Sequence, residues 1–100
     1  MGSNSVLIGE IQDDVVNYFV TRYGTDASDL TPATDLRKMY NFKATAWAQL
    51  GNTLSKKKWM KDLGVKLSQN DMMTVSTVAQ LAFCIYTKAQ NVGTKPKGNN

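Results

Sequence analysis

Apolar residues in this chain recur at helical spacing, and no strand-length pattern competes with it. The clearest stripe is Val78, Leu81, Ala82, Ile85 and Ala89, whose offsets put all five on one helix face. A second runs through Ile8, Ile11, Val15 and Phe19 to Tyr23, with Tyr18 beside it and Asp13 and Asp14 on the opposite side. It predicts an amphipathic helix of about four turns, ended by Gly24. The expected class is therefore all-α, and a chain of 100 residues has room for one core only. With 42% apolar and 20% charged residues, that core belongs to an ordinary globular domain rather than a disordered chain.

Between the two stripes the pattern changes twice. Residues 25–38 are rich in turn and cap formers (Asp26, Ser28, Asp29, Pro32, Thr34, Asp35), with Leu30 and Leu36 as isolated apolar anchors. This predicts a long ordered loop pinned to the core at two points. From residue 44 to 63 the pattern is helical but broken. Trp47, Leu50 and Leu54 share a face, lysines stand where the next apolar residue belongs, and Trp59, Met60 and Leu63 resume in a shifted register. A kinked helix, or two short helices meeting near residues 51–55, is expected, with Gly64 as the stop. Ser68 and Asp71 form a plausible capping box for a brief helical turn, and Ser76 or Thr74 is expected to cap the last helix. Residues 6–91 then form a single helical domain, with 1–5 a disordered start and 92–100 a flexible tail.

Composition removes several chemistries. There is no histidine and one cysteine, Cys84, which excludes a disulfide framework, zinc-finger spacing, a Ser-His-Asp triad and a Cys-His dyad. The acidic residues lack EF-hand spacing, so neither catalysis nor a metal is expected. A lone thiol, no secretory leader pattern and no apolar run of bilayer length lead to the expectation of a cytoplasmic protein. Charge is split along the chain. Residues 1–36 hold Glu10, Asp13, Asp14, Asp26, Asp29 and Asp35 against Arg22, a net of −5. Residues 37–100 hold Arg37 and ten lysines against Asp62 and Asp71, a net of +9. Such asymmetry bears on partners rather than on fold.

Two stretches carry a family resemblance. Asp29-Leu30-Thr31-Pro32-Ala33-Thr34-Asp35-Leu36 resembles the loop after the first helix of acyl carrier proteins. Leu63-Gly64-Val65-Lys66-Leu67-Ser68, running on through Thr77-Val78-Ala79-Gln80-Leu81 to Ile85-Tyr86, resembles the stretch that closes their second helix, makes the third and opens the fourth. Spacing and order match over residues 8–89. The resemblance implies a small four-helix bundle of acyl-carrier-protein type with a long loop after helix 1. It also implies a phosphopantetheine-bearing serine in an Asp-Ser-Leu motif at the start of the second helix. That motif is missing: Lys43-Ala44-Thr45-Ala46-Trp47-Ala48-Gln49-Leu50 contains no serine. Thr45 is a hydroxyl near the right place without the family's pattern, and Ser55 is the region's one serine. Ser55 is the candidate attachment residue if the chain is a genuine carrier, although helix N-capping accounts for it better.

The charge of the second helix is also reversed. Carriers present an acidic helix there, whereas this chain has Lys56-Lys57-Lys58-Trp59-Met60-Lys61. The expectation is a non-enzymatic, acyl-carrier-like protein without a cofactor. It acts through protein–protein contact, with Lys56, Lys57, Lys58, Lys61 and Trp59 meeting an acidic protein partner. The bland alternative is a solvated lysine face over an inward-packed tryptophan. A nucleic-acid reading competes: Leu50-Gly51-Asn52-Thr53 followed by Lys57, Lys58 and Trp59 resembles a helix-turn-helix with a basic second helix. Against it, that helix offers no Arg, Asn or Gln for base edges. Trp47 belongs to the core, Met60, Met72 and Met73 form a core edge or an adaptable groove, and Cys84 is an inert buried thiol.

Overall fold

The computed structural model describes residues 3–94, with side chains described from 8 to 91. Six α-helices follow one another: α1 (Ser3–Tyr23), α2 (Leu36–Met39), α3 (Ala44–Ser55), α4 (Lys58–Leu63), α5 (Gln69–Met73) and α6 (Val78–Thr94), with a 3-10 turn at Ala27–Asp29. Among the described residues no strand forms, and one isolated bridge joins Asp35 to Thr77. Of the ends expected to be loose, 1–2 and 95–100 lie outside the described residues, and α1 and α6 run through the remainder. No helix among the described residues is long and apolar enough to cross a membrane.

The middles of both apolar stripes face inward and meet, while Ile8 and Ala89 are half-buried and Tyr23 is exposed. Ile11, Val15 and Phe19 of α1 and Val78, Leu81, Ala82 and Ile85 of α6 are all buried, and the two helices pack along each other. The second packed pair is α3 with α5, through Trp47, Leu50, Leu54 and Met72. Gly51 makes that approach possible. It lies inside α3 and is itself buried, and a Cβ there would stand 2.5 Å from Met72 Cγ.

Both expected anchors, Leu30 and Leu36, are buried, but the loop is shorter than the expected 25–38, because Asp35 caps α2 and Leu36 already belongs to that helix. The loop's carbonyls also serve α6. The first N–H groups of a helix have no partner within the helix; here Val78 N–H donates to Thr34 O (3.1 Å) and Ala79 N–H to Pro32 O (2.9 Å). Thr77 Oγ1 accepts from Gln80 N–H at 3.0 Å, while Gln80 Oε1 accepts from Thr77 N–H at 3.2 Å. The cap of α6 is therefore Thr77, reciprocated by Gln80, rather than Ser76 or Thr74. The capping box of Ser68 and Asp71 forms as expected at α5.

Two left-handed glycines end helices, Gly24 (φ 70°) and Gly64 (φ 72°), a conformation with little steric cost only for glycine. Past α4, Gly64 N–H donates to Lys61 O at 3.0 Å and Val65 N–H to Met60 O at 3.3 Å. This is the paired closure of a Schellman motif, with Val65 and Met60 both in the core. A ladder of rings, Phe19, Tyr23, Tyr40, Phe42 and Trp47, at centroid separations of 4.6–6.2 Å, holds the chain after α2 against the end of α1.

Candidate functional site

The lysine run lies at a corner and not along one helix face. Lys56 follows the last turn of α3 in helical geometry (φ −87°, ψ −9°). Lys57 is extended (φ −69°, ψ 147°) and precedes α4. Leu54 ends one buried face and Met60 begins the next, so the chain must turn between them to keep both inside. The break falls just after residues 51–55, where a kink or a meeting of two helices was expected.

The corner sends its lysines in different directions. Lys57 Nζ lies 5.4 Å from the Tyr18 ring centroid, a cation–π contact. With Trp59, Arg22 and Asp14 it lines a cleft of about 440 Å³ between α1 and α4. Lys58 Nζ pairs with Asp62 at 3.1 Å, both side chains mostly in water, where such a pair contributes little. Lys56 and Lys61 face a different groove of about 610 Å³, lined also by Asn52, Ser55, Gly64, Val65, Lys66 and Leu67. The five residues expected to form one surface are therefore divided between two clefts and an ion pair.

Lys66 is the groove residue that inspection of the sequence passes over. Its signal is the alternation Val65, Lys66, Leu67, Ser68, apolar and polar by turns, which the structure realises as buried, exposed, buried, exposed. An extended crossing of this kind pins two side chains in the core and projects the lysine between them. Lys56, Lys61 and Lys66 make no ion pair among the described residues, whereas Lys58 and Lys88 are paired with Asp62 and Asp71.

Ser55 closes α3 instead of capping the start of a helix. Its Oγ donates to Gly51 O at 2.8 Å and accepts from Leu67 N–H at 2.9 Å. The hydroxyl thereby ties the crossing segment to α3 and forms one wall of the groove. The start of α3 carries Lys43, Ala44 and Thr45; Ala44 and Thr45 are exposed, and no serine stands there. The Leu50-Gly51 pair, which a helix-turn-helix would use as its turn, lies inside α3, and the chain turns five residues later.

Trp47 is fully buried, and its Nε1–H donates to the carbonyls of both Met72 (2.6 Å) and Val75 (3.0 Å). Trp59 is half-buried at the edge of the α1–α4 cleft. Met60 and Met72 are core, while Met73 and Phe83 are exposed, the latter at 59%. Cys84 is half-buried on α6; burial, then the nearby Asp71, pushes its thiol pKa up, which disfavours the nucleophilic thiolate. On α1, burial and the adjacent Asp13 and Glu10 raise the Asp14 carboxyl. Burial also works against Asp71, but hydrogen bonds from Ser68 and Lys88 outweigh it and hold that carboxyl below its usual range.

No three His, Cys, Asp or Glu side chains among the described residues gather closely enough to hold a metal ion. Comparison of the chain with protein families, with characterised proteins and with solved structures finds no match to any of them.

Proposed function

We propose that this chain is a non-enzymatic protein built on the acyl-carrier plan, that it carries no phosphopantetheine, and that it acts by binding an acidic protein partner. On this reading α1, α3 with α4, α5 and α6 take the four positions of the bundle, and α2 belongs to the long loop. The order of elements supports it: a long first helix, a loop anchored by Leu30 and Leu36, an interrupted second helix, a short capped third helix and a fourth opened by Thr77 and Val78. The missing serine supports the loss of the prosthetic group. Lys43-Ala44-Thr45 occupies the helix start, and the hydroxyl of Ser55 is committed on both sides to backbone.

The single observation that carries the partner assignment is the set of lysines without counter-ions on the α3–α4 side. Exposed like charges left unpaired repel one another and are relieved by an anionic surface, and they favour acidic partners over basic ones. Two experiments test the reading. Incubation with coenzyme A and a broad-specificity phosphopantetheinyl transferase should leave the intact mass unchanged; an added phosphopantetheine on any hydroxyl overturns the first half. Affinity capture from the source cells should retain acidic proteins that a K56E/K57E/K58E/K61E variant releases. If the same proteins stay bound, the lysine face is only solvated and the second half fails.

A further inference from the structure

The groove bounded by Lys56, Lys61 and Lys66 has a more specific chemistry than a basic surface, and we infer that it seats a short extended acidic segment of the partner, carboxylates on the three lysines and one aliphatic side chain between them. This rests on the reading above that the partner is an acidic protein, and it adds where and in what form the partner binds.

Three separate pieces of chain deliver the cations: the end of α3, the body of α4 and the extended crossing after Gly64. No acidic residue lines the groove, so nothing within it competes for the ammonium groups. Apart from Asn52 and the Ser55 wall, the lining between the charges is apolar, made by Gly64, the edges of Val65 and Leu67, and the methylene stems of the lysines themselves. A ligand of charge alone would leave that surface wet; an aliphatic side chain flanked by carboxylates covers both parts. The Lys66 N–H meets no acceptor among the described residues, which leaves one main-chain donor for an extended segment. The groove is also fixed in advance. Ser55 bonds α3 to Leu67, and the Schellman closure bonds α4 to Val65, so binding need not order these walls.

The same observations disfavour nucleic acid as the occupant. Single strands are held by stacking on aromatic side chains above a basic track, and no ring lines this groove. Trp47 is buried with its N–H committed, and Trp59 belongs to the other cleft. No arginine lines it either, and the bidentate guanidinium is the commonest specific reader of guanine.

The test is a titration of the isotopically labelled full-length protein with the acetylated, amidated pentapeptide Glu-Glu-Leu-Glu-Glu, followed by amide chemical shifts. Shifts should concentrate at Asn52, Ser55, Lys61 and residues 64–67. K66E should weaken binding about fivefold and K61E/K66E on the order of 20-fold. K58E, which changes net charge by the same amount as K66E, should weaken it by less than about twofold, since Lys58 faces Asp62. Thermal denaturation confirms that each variant folds. Replacing the peptide's leucine with serine should weaken binding; equal affinity shows that the apolar wall is unused and overturns the proposal. So do shifts centred on Arg22 and Lys57, equal binding of oligothymidylate at the same amides, or shifts reproduced by concentrating the protein alone, which would make the occupant a second copy. If K61E/K66E still captures the acidic partner while reversal of Lys57 and Lys58 releases it, the groove fails and the partner reading stands.

Discussion

Replacement of Trp47 by phenylalanine tests how the second half of the chain is held. The indole is fully buried, and its single N–H is shared between Met72 O and Val75 O at the end of α5. Met72 O keeps a second donor, Val75 N–H at 3.3 Å, but Val75 O has none among the described residues. Phenylalanine removes the donor and strands that carbonyl in the interior, at a cost of about 1–3 kcal/mol. The smaller ring leaves a void worth on the order of 1–2 kcal/mol. Together W47F should lose about 2–5 kcal/mol, a large fraction of the roughly 5–15 kcal/mol that holds a domain of this size. The melting temperature should fall by about 8–40 °C. Urea denaturation followed by far-UV circular dichroism measures the loss of stability, with W59F as the control. Trp59 is half-buried and its indole N–H makes no hydrogen bond among the described residues, so W59F should cost about 1 kcal/mol or less. If W47F costs no more than W59F, the two indole bonds do not hold α5 against α3.

Ser55→Ala leaves the Leu67 N–H without its acceptor and should cost about 1–2 kcal/mol, with hydrogen exchange at the Leu67 amide accelerated more than at its neighbours. Gly51→Ala sets two effects against each other. Alanine favours the helix by about 1 kcal/mol, but its Cβ would lie 2.5 Å from Met72 Cγ and 3.1 Å from Met72 Sδ, an overpacking worth about 1–3 kcal/mol. A net loss of about 1 kcal/mol is expected in urea denaturation, and a gain would show that Met72 yields freely. Asp71 has a folded pKa depressed below its ordinary 3.8, so its contribution to stability is present above that value and is lost as pH falls through the folded pKa. D71N should therefore be less stable than wild type at neutral pH, and the gap should close in acid; a gap that persists there removes the charge from the explanation.

What could be read locally was read correctly where one residue decides a conformation. Gly24 and Gly64 end their helices because they alone sit easily at positive φ, and the box of Ser68 and Asp71 is complete within four residues. Thr77 was missed as a cap although Gln80 stood three residues on, because the hydroxyls of Ser76 and Thr74 compete for the same role in sequence. The structure separates them by the two carbonyls of the loop, Pro32 and Thr34, which position Val78 and Ala79. Helix α2 is four residues long, too short to carry a period. Gly51 illustrates the harder case. Its low helix propensity marks a break, yet it lies within a helix because α5, eighteen or more residues away in sequence, must come close.

The lysine groove was hidden for a geometrical reason. Lys56, Lys61 and Lys66 recur every five residues. On a straight helix each such step turns the side chain by roughly 140°, so three lysines at that interval point three ways. They converge here because the chain leaves helical geometry at Lys57, turns left-handed at Gly64 and crosses extended to Ser68. The compact run of Lys56, Lys57 and Lys58, the stronger signal in sequence, is dispersed by the same corner: one lysine to the groove, one over Tyr18, one to Asp62. Charge density along a chain therefore identifies a basic protein without locating its site. The positions that assemble the site are the ones that break the helix, and these are Lys57, by its extended backbone, and Gly64, by its positive φ.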